Sequence, residues 1–333
     1  MKAQIAGAGV VWLAAMIGTS APSLAVDNVV KIDGSSTVYP VTEAVAEDFQ
    51  NSKKGAIKVT VGISGTGGGF KKFTRGETDI SNASRPILKK EMDDAKANGV
   101  EYIELPICFD ALTVVINPQN TWAKTMTVAE LKKIWEPAAQ GKITMWNQVR
   151  PDWPAEEIKL FGAGTDSGTF DYFTEAICGK SKASRGDFTA SEDDNVLVRG
   201  VEGSKFALGY FGYAYYAPHA KKLTAVAIDN GKGGVIPSKE SVLTGDYNPL
   251  SRPLFIYVNR KSVESKPFVR EFVDFYLKNV KKLSEEVKYV PLPDSAYEAI
   301  GSRWAKLETG TVFAGHEAVG LKIDEIVKKE LTK

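Results

Sequence analysis

Short apolar runs alternate along this chain with glycine- and serine-rich turns, and with segments whose apolar residues recur every three or four positions. Residues 29–32 form an apolar strand that runs into Asp33-Gly34-Ser35-Ser36-Thr37. A helix follows, with Pro40 near its first turn and Val41, Val45 and Phe49 one turn apart. Residues 57–63 alternate as a strand and enter the loop Ser64-Gly65-Thr66-Gly67-Gly68-Gly69, after which Phe70 and Phe73 begin a helix. A further strand over 79–83 leads to Ser84-Arg85-Pro86, where proline favours an extended backbone. Residues 89–98 read as a polar helix ended by Gly99. Two continuous apolar runs look alike, ALTVVIN (111–117) and LFIYVN (254–259), as expected of strands covered on both faces. Between them lie a helix over 128–135, a strand over 159–161, the loop over 162–169, and a helix carrying Phe170, Phe173 and Ile177. Residues 268–277 form an amphipathic helix, and the Lys/Glu-rich C-terminus reads as a solvated one. The repeated strand–turn–helix rhythm predicts an α/β class.

The N-terminus departs from this rhythm. Lys2 precedes an apolar stretch over 5–17, and Ser23-Leu24-Ala25 offers a small-x-small cleavage site. Residues 1–25 therefore read as a secretory signal peptide, since the stretch is shorter than the ~20 residues a membrane span needs. The protein is expected to be periplasmic.

Composition narrows the function. With 333 residues, about two domains are expected. Lys+Arg 42 against Asp+Glu 41 leaves a net charge of +1, which argues against a nucleic-acid partner. Two Cys and 2 His make a Cys/His metal centre improbable, and neither a cofactor nor a metal is expected. In an exported protein one Cys108–Cys178 disulfide is chemically permitted.

Candidate chemistry lies in three loops of one design. Residues 34–37, 64–69 and 166–169 each follow a strand, lack side-chain bulk and open a helix. A helix N-terminus presents unpaired N–H groups and a partial positive charge. One such loop is an ordinary cap; three, with Ser84-Arg85 after a fourth strand, point to convergence on an oxyanion. Neither G-x-x-x-x-G-K-[ST] nor G-x-G-x-x-G occurs, because the sixth position is Phe70 counting from Gly65 and Ser167 counting from Gly162. Gly-x-Ser-x-Gly is absent around Ser64 and Ser167, and His219 and His316 read as surface or loop residues, so no catalysis is expected.

At these residues the chain resembles the periplasmic phosphate-binding proteins, the substrate-binding subunits of the Pst-type phosphate ABC importer. DGSSTVYP (33–40), SGTGGGFKKF (64–73), DISNASRPI (79–87) and DSGTFDYF (166–173) resemble the family's anion-binding segments. MTVAELKKIW (126–135), GKITMWNQV (141–149) and FALGYFGYAYY (206–216) resemble stretches without ligand contact, and TASEDDN (189–195) with the SRP segment is closest to the SphX-like subgroup. The resemblance implies a two-lobed binding-protein fold of type II kind, closing over phosphate and serving an ABC permease as a monomer. Two crossover strands would join lobe I (26–112 and 256–333) to lobe II (113–255).

Carried over position by position, Ser36, Thr37, the backbone of Val38, Ser64, Ser84, Ser167, Gly168 and Thr169 are the expected phosphate contacts. Two positions depart from the family. An Asp that accepts a phosphate proton is replaced here by Arg85, and an Arg four residues before the S-G-T serine is replaced by Ala163. Arg85 then becomes a candidate bidentate donor, with Arg185 as a candidate second cation. Asp166 is the first candidate for the missing proton acceptor and Asp110 the second. Alternatives are a binding protein for sulfate, molybdate or arsenate, a secreted phosphoesterase, and a secreted adhesin or sensor keeping only the fold.

Overall fold

The computed structural model describes residues 28–165, 167–191, 193–315 and 330–332. Residues 1–25, Asp166, His316 and most of the C-terminal segment, about which the sequence raised expectations, lie outside them.

The first half of the sheet comes from β1 (Val29–Gly34), β2 (Lys58–Ile63) and β3 (Ile80–Ala83), all parallel, in the order β2-β1-β3. Helices α1 (Tyr39–Ser52), α2 (Gly65–Phe73) and α3 (Lys89–Ala97) follow each strand in turn. In α1 the predicted stripe of Val41, Val45 and Phe49 is buried, and Phe49 meets the long helix Pro267–Glu286 through edge-on contacts with Phe272 and Phe275. That helix extends well past the predicted 268–277.

Next comes β4 (Tyr102–Ile116), 15 residues long and buried throughout. The sequence predicted only its second half, because Pro106 argues against a central strand. The proline is tolerated at an irregularity: it pairs with Phe255 while Cys108 pairs with Leu254, leaving Ile107 bulged out of register. Along β4 the partner changes. Residues up to Ala111 pair with the returning strand Ser251–Asn259, and residues from Leu112 pair with the strand Ala207–Gly212.

The second half of the sheet repeats the parallel arrangement. Strand Lys159–Ala163 lies between Ala207–Gly212 and Thr189–Ser191 and is parallel to both. The helix Val128–Trp135 has the predicted bounds and is capped by Thr127, which accepts from the Glu130 N–H. The helix Gly168–Cys178 starts from Ser167, which accepts from the Thr169 N–H, and ends at Gly179 with φ +83°. The sheet thus has a parallel portion on each side and two antiparallel strands, β4 and Ser251–Asn259, running through its middle. Loops leaving the C-terminal ends of β1, β2 and β3 face the loop leaving Lys159–Ala163 across that seam, the usual location of ligands in α/β sheets.

Cys108 and Cys178 are both free thiols, so the permitted disulfide is not formed. Burial pushes the Cys108 thiol far up and that of Cys178 up to about 11. No helix among the described residues is long and apolar enough to cross a membrane.

Candidate functional site

Each loop of the site is shaped by a close backbone approach. Gly34 has φ +141°, and a Cβ there would lie 2.1 Å from the Asn82 carbonyl oxygen. Only glycine lets the chain leave β1 at this angle against β3. Helix α2 begins at Gly65 itself, earlier than predicted, although Gly67, Gly68 and Gly69 are poor helix formers. Packing overrides propensity here, since a Cβ on Gly69 would lie 2.5 Å from the Gly34 Cα. The glycine run draws the α2 N-terminus onto the end of β1.

Two cavities occupy the seam, and Ser36 and Thr37 line both. One, of about 600 Å³, is lined by 35–37, 63–67, Ser84, Arg85 and Arg252 on one side and by Asp171, Glu175, Ser181 and Lys182 on the other. The second, of about 450 Å³, is lined by Asp110, Ser167, Gly168, Thr169 and Tyr289 among others. Between them Thr37 Oγ1 lies 3.4 Å from the Gly168 carbonyl oxygen, joining loops 131 residues apart. The Thr37 N–H donates to Ser35 Oγ at 3.2 Å, and Tyr289 OH donates to the Thr37 carbonyl at 2.6 Å. Ser84 and Thr66 hydroxyls pair at 3.0 Å. Thus Ser36, Thr37, Ser64, Ser84, Arg85, Ser167, Gly168 and Thr169 line this pair of cavities, and Val38 is the residue from which α1 starts.

The cations are arranged differently from expectation. Arg85 lines the cavity, but its fork already grips Glu91 through Nη1 at 2.9 Å and Nη2 at 2.8 Å. Arg185 lies elsewhere. It is 3% exposed and bonds Asp187 at 2.5 and 2.8 Å and the carbonyls of Ile134 and Ile143. It ties the 180s loop to the helix Val128–Trp135, so burial and pairing rather than ligand contact account for it. Ser64 donates its hydroxyl to Asp33, whose other oxygen takes Lys72 Nζ at 2.6 Å.

Two features went unread in the sequence. Arg252 sits on the returning strand with Nη2 donating to Thr37 Oγ1 at 2.9 Å and its guanidinium 3.6 Å over the Tyr172 ring. Its register partner is Asp110 on β4, 4% exposed, with Oδ2 3.8 Å from Arg252 Nε. Burial pushes the Asp110 carboxyl above its ordinary value, and the Arg252 charge works against that. The available signal was a pair of opposite charges at the mouths of two look-alike apolar runs. His219 is a loop residue whose Nδ1 meets the Tyr215 carbonyl at 2.8 Å. No cluster of three or more His, Cys, Asp or Glu suited to a metal occurs among the described residues. Chemically, the site offers helix N-termini, hydroxyls and guanidinium groups on opposite sides of one cleft. That combination suits a small oxyanion.

Residues 19–280 match the model of the PBP superfamily domain. The chain is 54% identical over 301 residues to the protein SphX of Synechocystis sp., covering 90% of this chain and 89% of that protein. It is 38% identical over 271 residues to the phosphate-binding protein PstS of Staphylococcus saprophyticus, covering 80% and 82%. A solved structure from Planctomyces limnophilus, described as a possible phosphate binding protein, matches with TM-score 0.80 at 52% identity and covers 84% of this chain and 98% of that one. An ABC-type phosphate transport receptor from Vibrio cholerae, 22% identical, shares the two-lobed α/β fold with TM-score 0.63 over 79% and 100% of the two chains.

Proposed function

Since this chain belongs to the family of phosphate-binding proteins that includes SphX and PstS, we propose that it captures inorganic phosphate between its lobes outside the cytoplasmic membrane and delivers it to an ABC permease. It performs no catalysis and acts as a monomer. Lobe I comprises 26–112 and 256–333, and lobe II comprises 113–255; the change of partner along β4 between Ala111 and Leu112 supports this division. Ser36, Thr37, Val38, Ser64, Ser84 and Arg85 contribute from lobe I, and Ser167, Gly168 and Thr169 from lobe II.

The observation that carries this reading is the meeting of two helix-start loops, Ser36-Thr37 and Ser167-Gly168-Thr169, across the seam. An anion there draws on donors from both lobes at once. A micromolar dissociation constant corresponds to about −8 kcal/mol. Hydrogen bonds to a charged group contribute ~1.5–3 kcal/mol each, so several donors must combine and closure is favoured by binding. Asp110 is the discriminating acceptor in this account. It lines the same cavity, and its Oδ2 lacks a hydrogen-bond partner among the described residues. Hydrogen phosphate brings a proton to such an acceptor and sulfate brings none.

Thermal-shift titration tests the proposal, because a ligand of the native state raises the midpoint. Phosphate is expected to raise it at concentrations where sulfate and molybdate do not. A midpoint moved by sulfate or molybdate alone would reassign the anion, and phosphate release from a chromogenic ester would reassign the class.

A further inference from the structure

We infer that Arg252 is the cation on which the bound anion's charge rests. This rests on the phosphate reading above and adds to it a contact on the crossover strand itself.

Arg252 is 9% exposed, and its side chain reaches into the cleft at the Thr37 hydroxyl. Its Nε has no hydrogen-bond partner among the described residues. Asp110 Oδ2, at 3.8 Å, is beyond hydrogen-bond distance and is likewise unpartnered. A buried guanidinium N–H without an acceptor is costly, and a ligand oxygen placed beside Thr37 supplies the acceptor.

The neighbouring cations are engaged otherwise. Arg85 forms a two-bond fork with Glu91 and also donates to the Pro86 carbonyl at 3.0 Å. Lys72 is held by Asp33. Lys182 is mostly exposed, 3.9 Å from Asp171. Arg252 therefore stands out as a buried cation in the cleft with donor capacity to spare. The acidic groups near it are Asp110, Asp171 and Glu175, so its charge decides whether this part of the cleft repels or attracts an anion.

Its place also explains how an anion contact reaches both lobes. Thr37 precedes α1, while Tyr172, whose ring lies under the guanidinium, belongs to the helix Gly168–Cys178 on the opposite side. The strand that carries Arg252 pairs with β4 at Asp110, where the sheet passes from one half to the other.

Calorimetric phosphate titration of wild type, Arg252→Lys, Arg252→Gln and Arg85→Gln tests the assignment, with the thermal midpoint of each unliganded variant as the fold control. Arg252→Gln is expected to weaken phosphate at least thirtyfold, more than Arg85→Gln does. Arg252→Lys, which keeps the charge and loses the fork, is expected to fall between Arg252→Gln and wild type. If Arg252→Gln does not fold, Arg252→Lys against Arg85→Gln decides by the same ordering. Both Arg252 variants binding phosphate within twofold of wild type would overturn the inference and leave the phosphate reading intact. Wild-type protein that binds no phosphate would instead overturn the reading on which it rests.

Discussion

Arg252 and Asp110 face each other across the two crossover strands, register partners with 3.8 Å between Nε and Oδ2. Each stands where an apolar strand opens into the cleft, and each is almost wholly buried. The pair sits where the sheet changes partner from one half to the other.

Asp110→Asn is expected to narrow the ratio of phosphate to sulfate affinity. On the proposed reading the carboxylate would accept the proton of hydrogen phosphate, and facing sulfate it would meet an aprotic oxygen at a cost of ~1–3 kcal/mol or more. Competition calorimetry measures the ratio, and an unchanged value would remove Asp110 from discrimination.

Gly168→Ala tests closure separately from charge. A Cβ at this position would lie 2.7 Å from Thr37 Oγ1 and 2.9 Å from the Thr37 nitrogen, atoms of the opposite lobe. The methyl group opposes the closed arrangement without disturbing either lobe's core. A closure penalty of about 1.4 kcal/mol weakens binding tenfold. Phosphate affinity is expected to drop by at least that factor with little change in the unliganded melting temperature; wild-type affinity would show that closure does not bring these atoms together.

Arg185→Ala is expected to destabilise the fold while leaving phosphate affinity within twofold. Hydrogen bonds from Arg185 hold the Asp187 carboxyl down to about 2, and Arg185 also fixes two backbone carbonyls. Removing the buried guanidinium leaves the Ile134 and Ile143 carbonyls without their donor, at about 1–3 kcal/mol for each buried group left unpaired. Denaturant unfolding reads the loss, and a stable variant with weakened phosphate binding would instead restore Arg185 as a site cation.

Glu104 gives the fold a pH dependence of definite sign. Burial pushes its carboxyl above the usual range, against hydrogen bonds from Thr311, Tyr257 and the Val312 N–H that favour the ionised form. The folded state then holds this proton after the unfolded chain has released it, so stability falls as pH rises from the ordinary value of ~4 through the raised one. Glu104→Gln removes the titration. Calorimetric melting should show the variant gaining on wild type between pH 4 and 7; a gap independent of pH would contradict the shift.

Local patterns predicted local elements well. The helix Val128–Trp135 carries its own capping box, and α1 its own apolar stripe, so neighbours in sequence suffice to define them. The loops around Ser36, Ser64 and Ser167 stood out because three of one design occur on one chain, and the structure gathers them at the same seam. What escaped depended on distant partners. Pro106 conceals the first half of β4 until the bulge opposite Leu254 and Phe255 accommodates it. Arg85 satisfies the motif at the ligand face, yet Glu91, one turn into the next helix, occupies its fork. Arg252 lies just before the predicted strand and gains its meaning from Thr37, 215 residues away. Asp166, the first candidate for the proton acceptor, lies outside the described residues.

The most direct test of the central claim is a calorimetric titration of the purified protein with phosphate at pH 8, repeated in excess sulfate. The account predicts one phosphate per chain, a micromolar or tighter dissociation constant, and no loss of affinity to the competitor. Absence of phosphate binding, or its displacement by sulfate at comparable concentration, would contradict it.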